Sequence, residues 1–186
     1  MRIISGKYKS KKIIPPVDKN TRPLRDIVKE SIFNLIKHSN KFNLILENSN
    51  ILDLFSGSGS FGLECLSRGA KKVIFVENYS KAISVLNKNI HNFQELNFCK
   101  IINRDCFHYI NFDIKIDEKF DLIFLDPPFK EEKINILIEK IKEKKILQKN
   151  GILIIHRHKK DNLEITKRLN ILDQRIYGIS KITIGN

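Results

Sequence analysis

The chain contains no tryptophan, one methionine, five prolines and three cysteines in 186 residues. Three cysteines, Cys65, Cys99 and Cys106, cannot all pair, and no two stand in a C-x-x-C arrangement. That excludes a disulfide framework and points to a reducing compartment. No set of His and Cys has metal-ligand spacing, so no metal is expected. Long apolar runs are missing as well. The longest are strand-sized, far short of a bilayer span, and the segment Met1–Lys7 has no apolar h-region. A cytoplasmic protein without a membrane partner is the expectation. Acids are in deficit: 21 against 34 Lys and Arg, a formal charge of +13. Such an excess suits a polyanionic partner.

Charge placement says more than the total, because the whole chain is crowded with Lys, Ile and Asn. Residues 1–30 carry nine cations (Arg2, Lys7, Lys9, Lys11, Lys12, Lys19, Arg22, Arg25 and Lys29) and three anions (Asp18, Asp26 and Glu30). A second basic cluster, Arg157, Lys159 and Lys160, follows a late apolar run, with His156 and His158 as neighbours.

A chain of this length makes one domain that buries roughly 70% of its unfolded surface. Residues 1–20 read as a basic hairpin or extension, broken by Pro15-Pro16. Residues 21–40 hold a helix over 23–38, with Pro23 in its first turn and an apolar stripe of Ile27, Val28, Ile32, Phe33, Leu35 and Ile36. From residue 50 strands and helices alternate. Strands are expected at Ile51–Phe55, Lys72–Glu77, Phe98–Asn103, Phe120–Leu125, Ile152–His156, Ile171–Tyr177 and Lys181–Ile184. Helices are expected at Phe61–Arg68, Ser80–Phe93, Glu132–Ile146 and near Asp161–Leu169. This alternation implies an α/β fold of Rossmann-like type, with a mostly parallel sheet, helices on both faces and an antiparallel hairpin turning at Gly178.

Two segments carry the chemistry. Asp126-Pro127-Pro128-Phe129 follows the buried run Phe120–Leu125, where open α/β sheets hold ligands. The Asp126 carboxylate and the Pro127 carbonyl are two acceptors for one –NH2 group, and Phe129 offers a flat face to a base. The second segment, Gly57-Ser58-Gly59-Ser60-Phe61-Gly62, matches G-x-G-x-x-G between a strand and a helix. A dinucleotide loop and an S-adenosylmethionine loop compete for it. Asp53 favours the second, because a buried carboxylate repels pyrophosphate and attracts a sulfonium and an ammonium. Phe55, Ser56, Gly57 and Gly59 would form the cofactor loop. Glu77 can bind ribose hydroxyls, Asp105 can accept from the adenine amine, and Cys106 can line the adenine pocket or pack in the core. Asp53, Glu77, Asp105 and Asp126 fall at or near the ends of four successive expected strands.

These residues resemble a known family. Ile51-Leu52-Asp53-Leu54-Phe55-Ser56-Gly57-Ser58-Gly59 is similar to motif I of class I methyltransferases, and Asp126-Pro127-Pro128-Phe129 to their motif IV in its amine-methylating form. The segments Arg2–Lys7, Thr21-Arg22-Pro23, Lys29-Glu30-Ser31-Ile32-Phe33-Asn34, Ser67-Arg68-Gly69-Ala70 and Tyr177-Gly178 resemble the bacterial 16S rRNA guanine-N2 methyltransferase family, RsmD. The resemblance spans essentially the whole chain. It implies the seven-stranded methyltransferase sheet, S-adenosylmethionine as donor, and methylation of the 2-amino group of one guanine in 16S rRNA, in a 30S subunit or an assembly intermediate, by a monomer. Asp126, Pro127 and Phe129 would be catalytic; Arg2, Lys7, Lys9, Lys11, Lys12, Arg22 and Arg25 would hold RNA. His156, where the family has an acid, and Gly178-Ile179-Ser180, where it has Gly-acid-Thr, depart from the pattern. An adenine-N6 methyltransferase and a non-catalytic RNA-binding module are the alternatives.

Overall fold

The structure is a computed structural model that describes residues 1–16, 18, 22–113, 118–161, 165 and 169–186. Its elements are α1 (Asp26–His38), β1 (Asn50–Leu54), α2 (Ser60–Ser67), β2 (Lys72–Glu77), α3 (Ser80–Phe93) and β3 (Cys99–Asn103). They continue with a short α4 (Cys106–His108), β4 (Phe120–Leu125), α5 (Ile134–Glu143), β5 (Leu147–His158), β6 (Ile171–Tyr177) and β7 (Ser180–Gly185). The helix expected near Asp161–Leu169 falls largely outside the described residues, as do Lys19 and Thr21.

The seven strands form one sheet in the order β3-β2-β1-β4-β5-β7-β6. The first five are parallel; β7 runs antiparallel to both β5 and β6. Strand order reverses between β1 and β4, which opens a crevice at their carboxyl ends. Both faces are covered, so the central strands are mostly apolar, with Asp53 of β1 a buried exception. One core joins Ile51, Phe75 and Phe124 to α1, α2 and α3. The other joins Leu52, Leu54, Ile123 and Leu125 to α5 and the segment around Tyr109 and Ile110.

The helix over 21–40 starts later than its apolar pattern suggests. Pro23 stands ahead of the first turn, and Arg25 is the N-cap. Ile27 leaves the stripe and is exposed, because the buried face runs through Val28, Ile32, Phe33 and Ile36. That face docks through a stack of rings: Phe33 on Phe61 at 5.1 Å and Phe61 on Phe124 at 3.8 Å.

Residues 1–13 form a hairpin with one antiparallel bridge, Arg2 to Lys12. It is tied to α2 by Glu64, whose two carboxylate oxygens accept from Ile4 N at 2.7 Å and Ser5 N at 3.0 Å. Gly6 is required at its bend: φ is +85°, and a Cβ there would lie 1.8 Å from the Ser67 carbonyl oxygen. The Nζ of fully buried Lys29 lies 3.5 Å from Glu64 and donates to the Arg2 carbonyl at 2.7 Å.

Candidate active site

A cleft of about 420 Å³ opens over the β1/β4 crevice. Asp53, Glu77, Asp105 and Asp126 all line it, with Phe55, Ser56, Gly57, Pro127, Phe129 and Arg22. Strand register accounts for the convergence. Asp53 is level with Phe75 on β2 and Phe124 on β4, Glu77 ends β2 beside Asn103, and the Asp126 amide reaches back to the Leu54 carbonyl. A second depression of about 850 Å³, lined by Lys142, Lys145, Lys149 and Asn186, lies at the other pole of the sheet and has no acid in its lining.

The glycine loop faces two carboxylates. Gly57 N–H donates to Glu77 Oε2 at 2.8 Å, and Gly62 N–H to Asp53 Oδ2 at 3.0 Å. Gly59 N–H and Ser56 N–H go to the carbonyls of Ser56 and Val76. Four amides of the loop and the following turn of α2 are thus taken, two of them by carboxylates. A pyrophosphate would meet these two carboxylates, whereas a sulfonium or ammonium is attracted by them. The site residues therefore fit S-adenosylmethionine and not a dinucleotide.

Asp53 is 1% exposed. Burial pushes its carboxyl well above the usual range, the Gly62 amide opposes that, and Asp126 and Glu77 add to it. Glu77 is held rigidly, since Oε1 also accepts from the Asn78 and Tyr79 amides. Asp105 caps α4 through Oδ1, which accepts from Phe107 N and His108 N.

Two of the expected cofactor residues do not line the cleft. Gly59 has φ +77°, and a Cβ there would meet Leu86 Cδ1 at 2.4 Å; its absence of side chain serves the turn and helix packing. Cys106 is buried behind the loop, accepting from Phe55 N and facing the Val76 carbonyl. Its thiol is pushed well up by burial, as befits a packing residue.

At the motif IV corner, Arg22 lies against the site. Its guanidinium carbon is 3.4 Å from the Phe129 ring centroid, and Nη2 donates to Asp126 Oδ1 at 3.0 Å. Burial lowers its pKa, and Asp126 pulls it back up. Of the seven cations expected to hold RNA, only Arg22 lines the cleft. Lys7 pairs with buried Glu95 at 2.6 Å, and Lys11 donates to the Asn92 carbonyl and lies over Phe93. Both therefore sit at the far end of α3. Arg2, Lys9, Lys12 and Arg25 are exposed.

The late basic cluster divides. Arg157 is 4% exposed and unavailable to a polyanion. Its guanidinium donates to the carbonyls of Pro128 and Phe129, both at 3.1 Å, and pairs with Asp161. It braces the Asp126–Phe129 turn from below, a role its basic neighbours in sequence conceal. His156 is buried, with Nδ1 2.8 Å from Asp126 Oδ1 and Nε2 2.8 Å from Ser180 Oγ. The basic character of the run Arg157–Lys160 cannot reveal such bonds; the position of His156 and Arg157 at the end of a buried apolar strand is the one signal that hints at them. Among the described residues no His, Cys, Asp and Glu group could hold a metal ion, and no described helix is long and apolar enough to cross a membrane.

Comparison with known proteins finds relatives along the whole chain. A family model described as conserved hypothetical protein 95 matches residues 1–186. YlbH of Bacillus subtilis, named as an rRNA methyltransferase, is 33% identical over 99% of this chain and 97% of its own length. Ribosomal RNA small subunit methyltransferase D of Haemophilus influenzae is 30% identical over 96% of this chain and 90% of its own. A solved structure from Escherichia coli, yhhF, described as a methyltransferase, superposes with a TM-score of 0.84 at 22% identity, covering 100% of this chain and 96% of that one, which speaks for the fold.

Proposed function

The chain belongs to the ribosomal RNA small subunit methyltransferase D family, and from that premise we propose that it methylates the exocyclic N2 amine of one guanine in 16S rRNA, within a 30S subunit or an assembly intermediate. The donor is S-adenosylmethionine, which supplies a methyl group on a sulfonium. Asp53, Glu77 and Asp105 are the acids that would hold it, with Gly57 giving close backbone approach.

One observation supports the amine-receptor reading above the rest. The Arg22 guanidinium is flat, carries N–H donors, stacks on Phe129 and donates to Asp126. The amine edge of a guanine has the same shape and donors. Arg22 thus holds the place of the base in the free protein, and the base displaces it. Asp126 and the Pro127 carbonyl then accept the two amine hydrogens and favour a pyramidal nitrogen, with its lone pair aimed at the methyl. Orientation and electrostatics supply the acceleration. Asp126 need not be a strong base, because the amine becomes acidic only as it is methylated.

The test is labelled methyl transfer to 16S rRNA and to 30S particles lacking the modification, followed by nucleoside mapping. Label in N2-methylguanine is expected. Label in N6-methyladenine, or none, refutes the proposal. Asp126→Asn should lower turnover by about 100-fold or more while binding S-adenosylhomocysteine normally.

A further inference from the structure

We infer that His156 is the positioning residue of the methyl-acceptor site: backed by Ser180, it holds the Asp126 carboxylate in place while Arg22 gives way to the amine. The inference rests on the reading of Asp126 as the amine's acceptor.

The geometry is specific. His156 lies near the end of β5 with a side chain 3% exposed. Its Nδ1 is 2.8 Å from Asp126 Oδ1, and its ring meets the Phe129 ring edge-on at 6.0 Å. Antiparallel pairing of β5 with β7, where His158 stands opposite Ser180, brings Ser180 Oγ within 2.8 Å of Nε2. Ser180 is itself 2% exposed.

Proton placement follows. A carboxylate only accepts, so Nδ1 must carry the hydrogen; a lone pair there would face an oxygen lone pair at 2.8 Å. Nε2 accepts from the Ser180 hydroxyl in a neutral ring and donates to it in a charged one; in both, Nδ1 is the donor to Asp126. Arg22 Nη2 lies 3.4 Å from Nδ1. With Nδ1 protonated that approach is donor to donor, and the Arg22 hydrogen goes to Asp126 instead.

The two donors on Oδ1 differ in freedom. The Arg22 side chain is 35% exposed and lies over the phenyl face where a base would stack. It leaves when the base arrives. His156 is enclosed and stays. Among the described residues no bond falls on Oδ2 of Asp126. With Oδ1 still held by His156, the carboxylate keeps its orientation, and the amine takes the place that Arg22 vacates. Without the imidazole N–H the carboxylate is free to turn, and the amine loses its alignment.

Two substitutions separate this role from ring packing. Phenylalanine fills the ring volume and has no donor; asparagine places an N–H near the Nδ1 position. His156→Phe should lower kcat at saturating RNA by about 100-fold, the cost of a misaligned reacting group, with S-adenosylhomocysteine affinity unchanged. His156→Asn should recover about tenfold or more of that loss. Wild-type kcat in His156→Phe overturns the role, and so does an asparagine variant as slow as the phenylalanine one. Should His156→Phe fail to fold, side-chain 15N spectra of the wild-type histidines decide. A ring protonated at Nδ1 that loses this preference in Asp126→Ala, which removes the acceptor, supports the assignment; a ring protonated only at Nε2 overturns it. The spectra do not depend on turnover. Absence of methyl transfer by the wild type would therefore refute the proposed reaction without being confused with a failure of the His156–Asp126 bond.

Discussion

Asp53 carries opposing demands in one side chain. It is buried in the free protein, where its carboxyl sits well above the ordinary range, yet the methyl donor calls for an anion. The sign of the pH dependence follows. The folded state holds the Asp53 proton more tightly than the unfolded state does. Stability contributed by this group is therefore present below the unfolded value near 3.8 and is lost as pH rises toward the folded one. Donor affinity runs the other way, rising as Asp53 ionises. Asp53→Asn can keep the bond from the Gly62 amide and cannot ionise. It should raise the melting temperature of the free protein at neutral pH and flatten its dependence on pH. It should weaken S-adenosylmethionine by about 2 kcal/mol, the scale of a hydrogen bond to a charged group. Calorimetry of both proteins across pH checks this; an unchanged pH slope would assign the dependence elsewhere. Phe129 makes a separable demand. Phe129→Ala should cost RNA binding about 1–3 kcal/mol, the worth of a base stacked on an aromatic ring, and leave donor affinity alone. Equal losses in both titrations would make Phe129 a structural residue.

Among the elements, the N-terminal hairpin depends on one carboxylate in α2. Glu64 is fully buried and accepts from Ile4 and Ser5 while lying against Lys29 and Arg68. Desolvation lowers the Lys29 pKa, and Glu64 is the main force raising it again. Glu64→Gln would leave that ammonium buried with only Asp26, 4.0 Å away, as countercharge. Removing one partner of a buried pair costs about 3–5 kcal/mol, so the variant should unfold at clearly lower denaturant and show faster amide exchange at Ile4 and Ser5. Unchanged exchange there would mean that backbone bonds alone hold the hairpin. None of this was legible in the sequence. Local pattern revealed the strands well, because each central strand is a short apolar run closed by an acid or a turn. It revealed the four acids of the cleft for the same reason, since parallel register puts strand ends together. Pattern failed where a long-range bond decides. Arg157 reads as part of a surface cluster and is a buried brace for the motif IV turn. His156 and Ser180 are 24 residues apart and meet only because β5 and β7 pair. Gly59 and Cys106 sit in the right stretch of sequence, yet packing against Leu86 and Phe55 turns them away from the cleft.

At the scale of the whole molecule, charge is divided by purpose. Four acids line the cleft, while the chain as a whole carries +13. The hairpin cations are not at the cleft: Lys7 and Lys11 engage residues at the carboxyl end of α3, whose first residue follows closely on Glu77. A 14-residue helix is about 21 Å long. RNA that reaches both the hairpin and the cleft must therefore extend over a comparable distance, several nucleotides or a folded helix. A short oligonucleotide centred on the target guanine cannot bridge it. Lys9 and Lys12 are exposed, and their removal leaves the Glu64 tie untouched. A Lys9→Glu, Lys12→Glu double variant should lose affinity for long 16S rRNA fragments. Its log–log salt slope should become shallower by about 0.7 for each phosphate that is no longer neutralised. Its kcat at saturating RNA and its affinity for S-adenosylhomocysteine should stay at the wild-type value, and turnover of the short oligonucleotide should not change. An unchanged salt slope with the long fragment would place the RNA path on another face of the protein, and the positive charge of the hairpin would then serve only solubility.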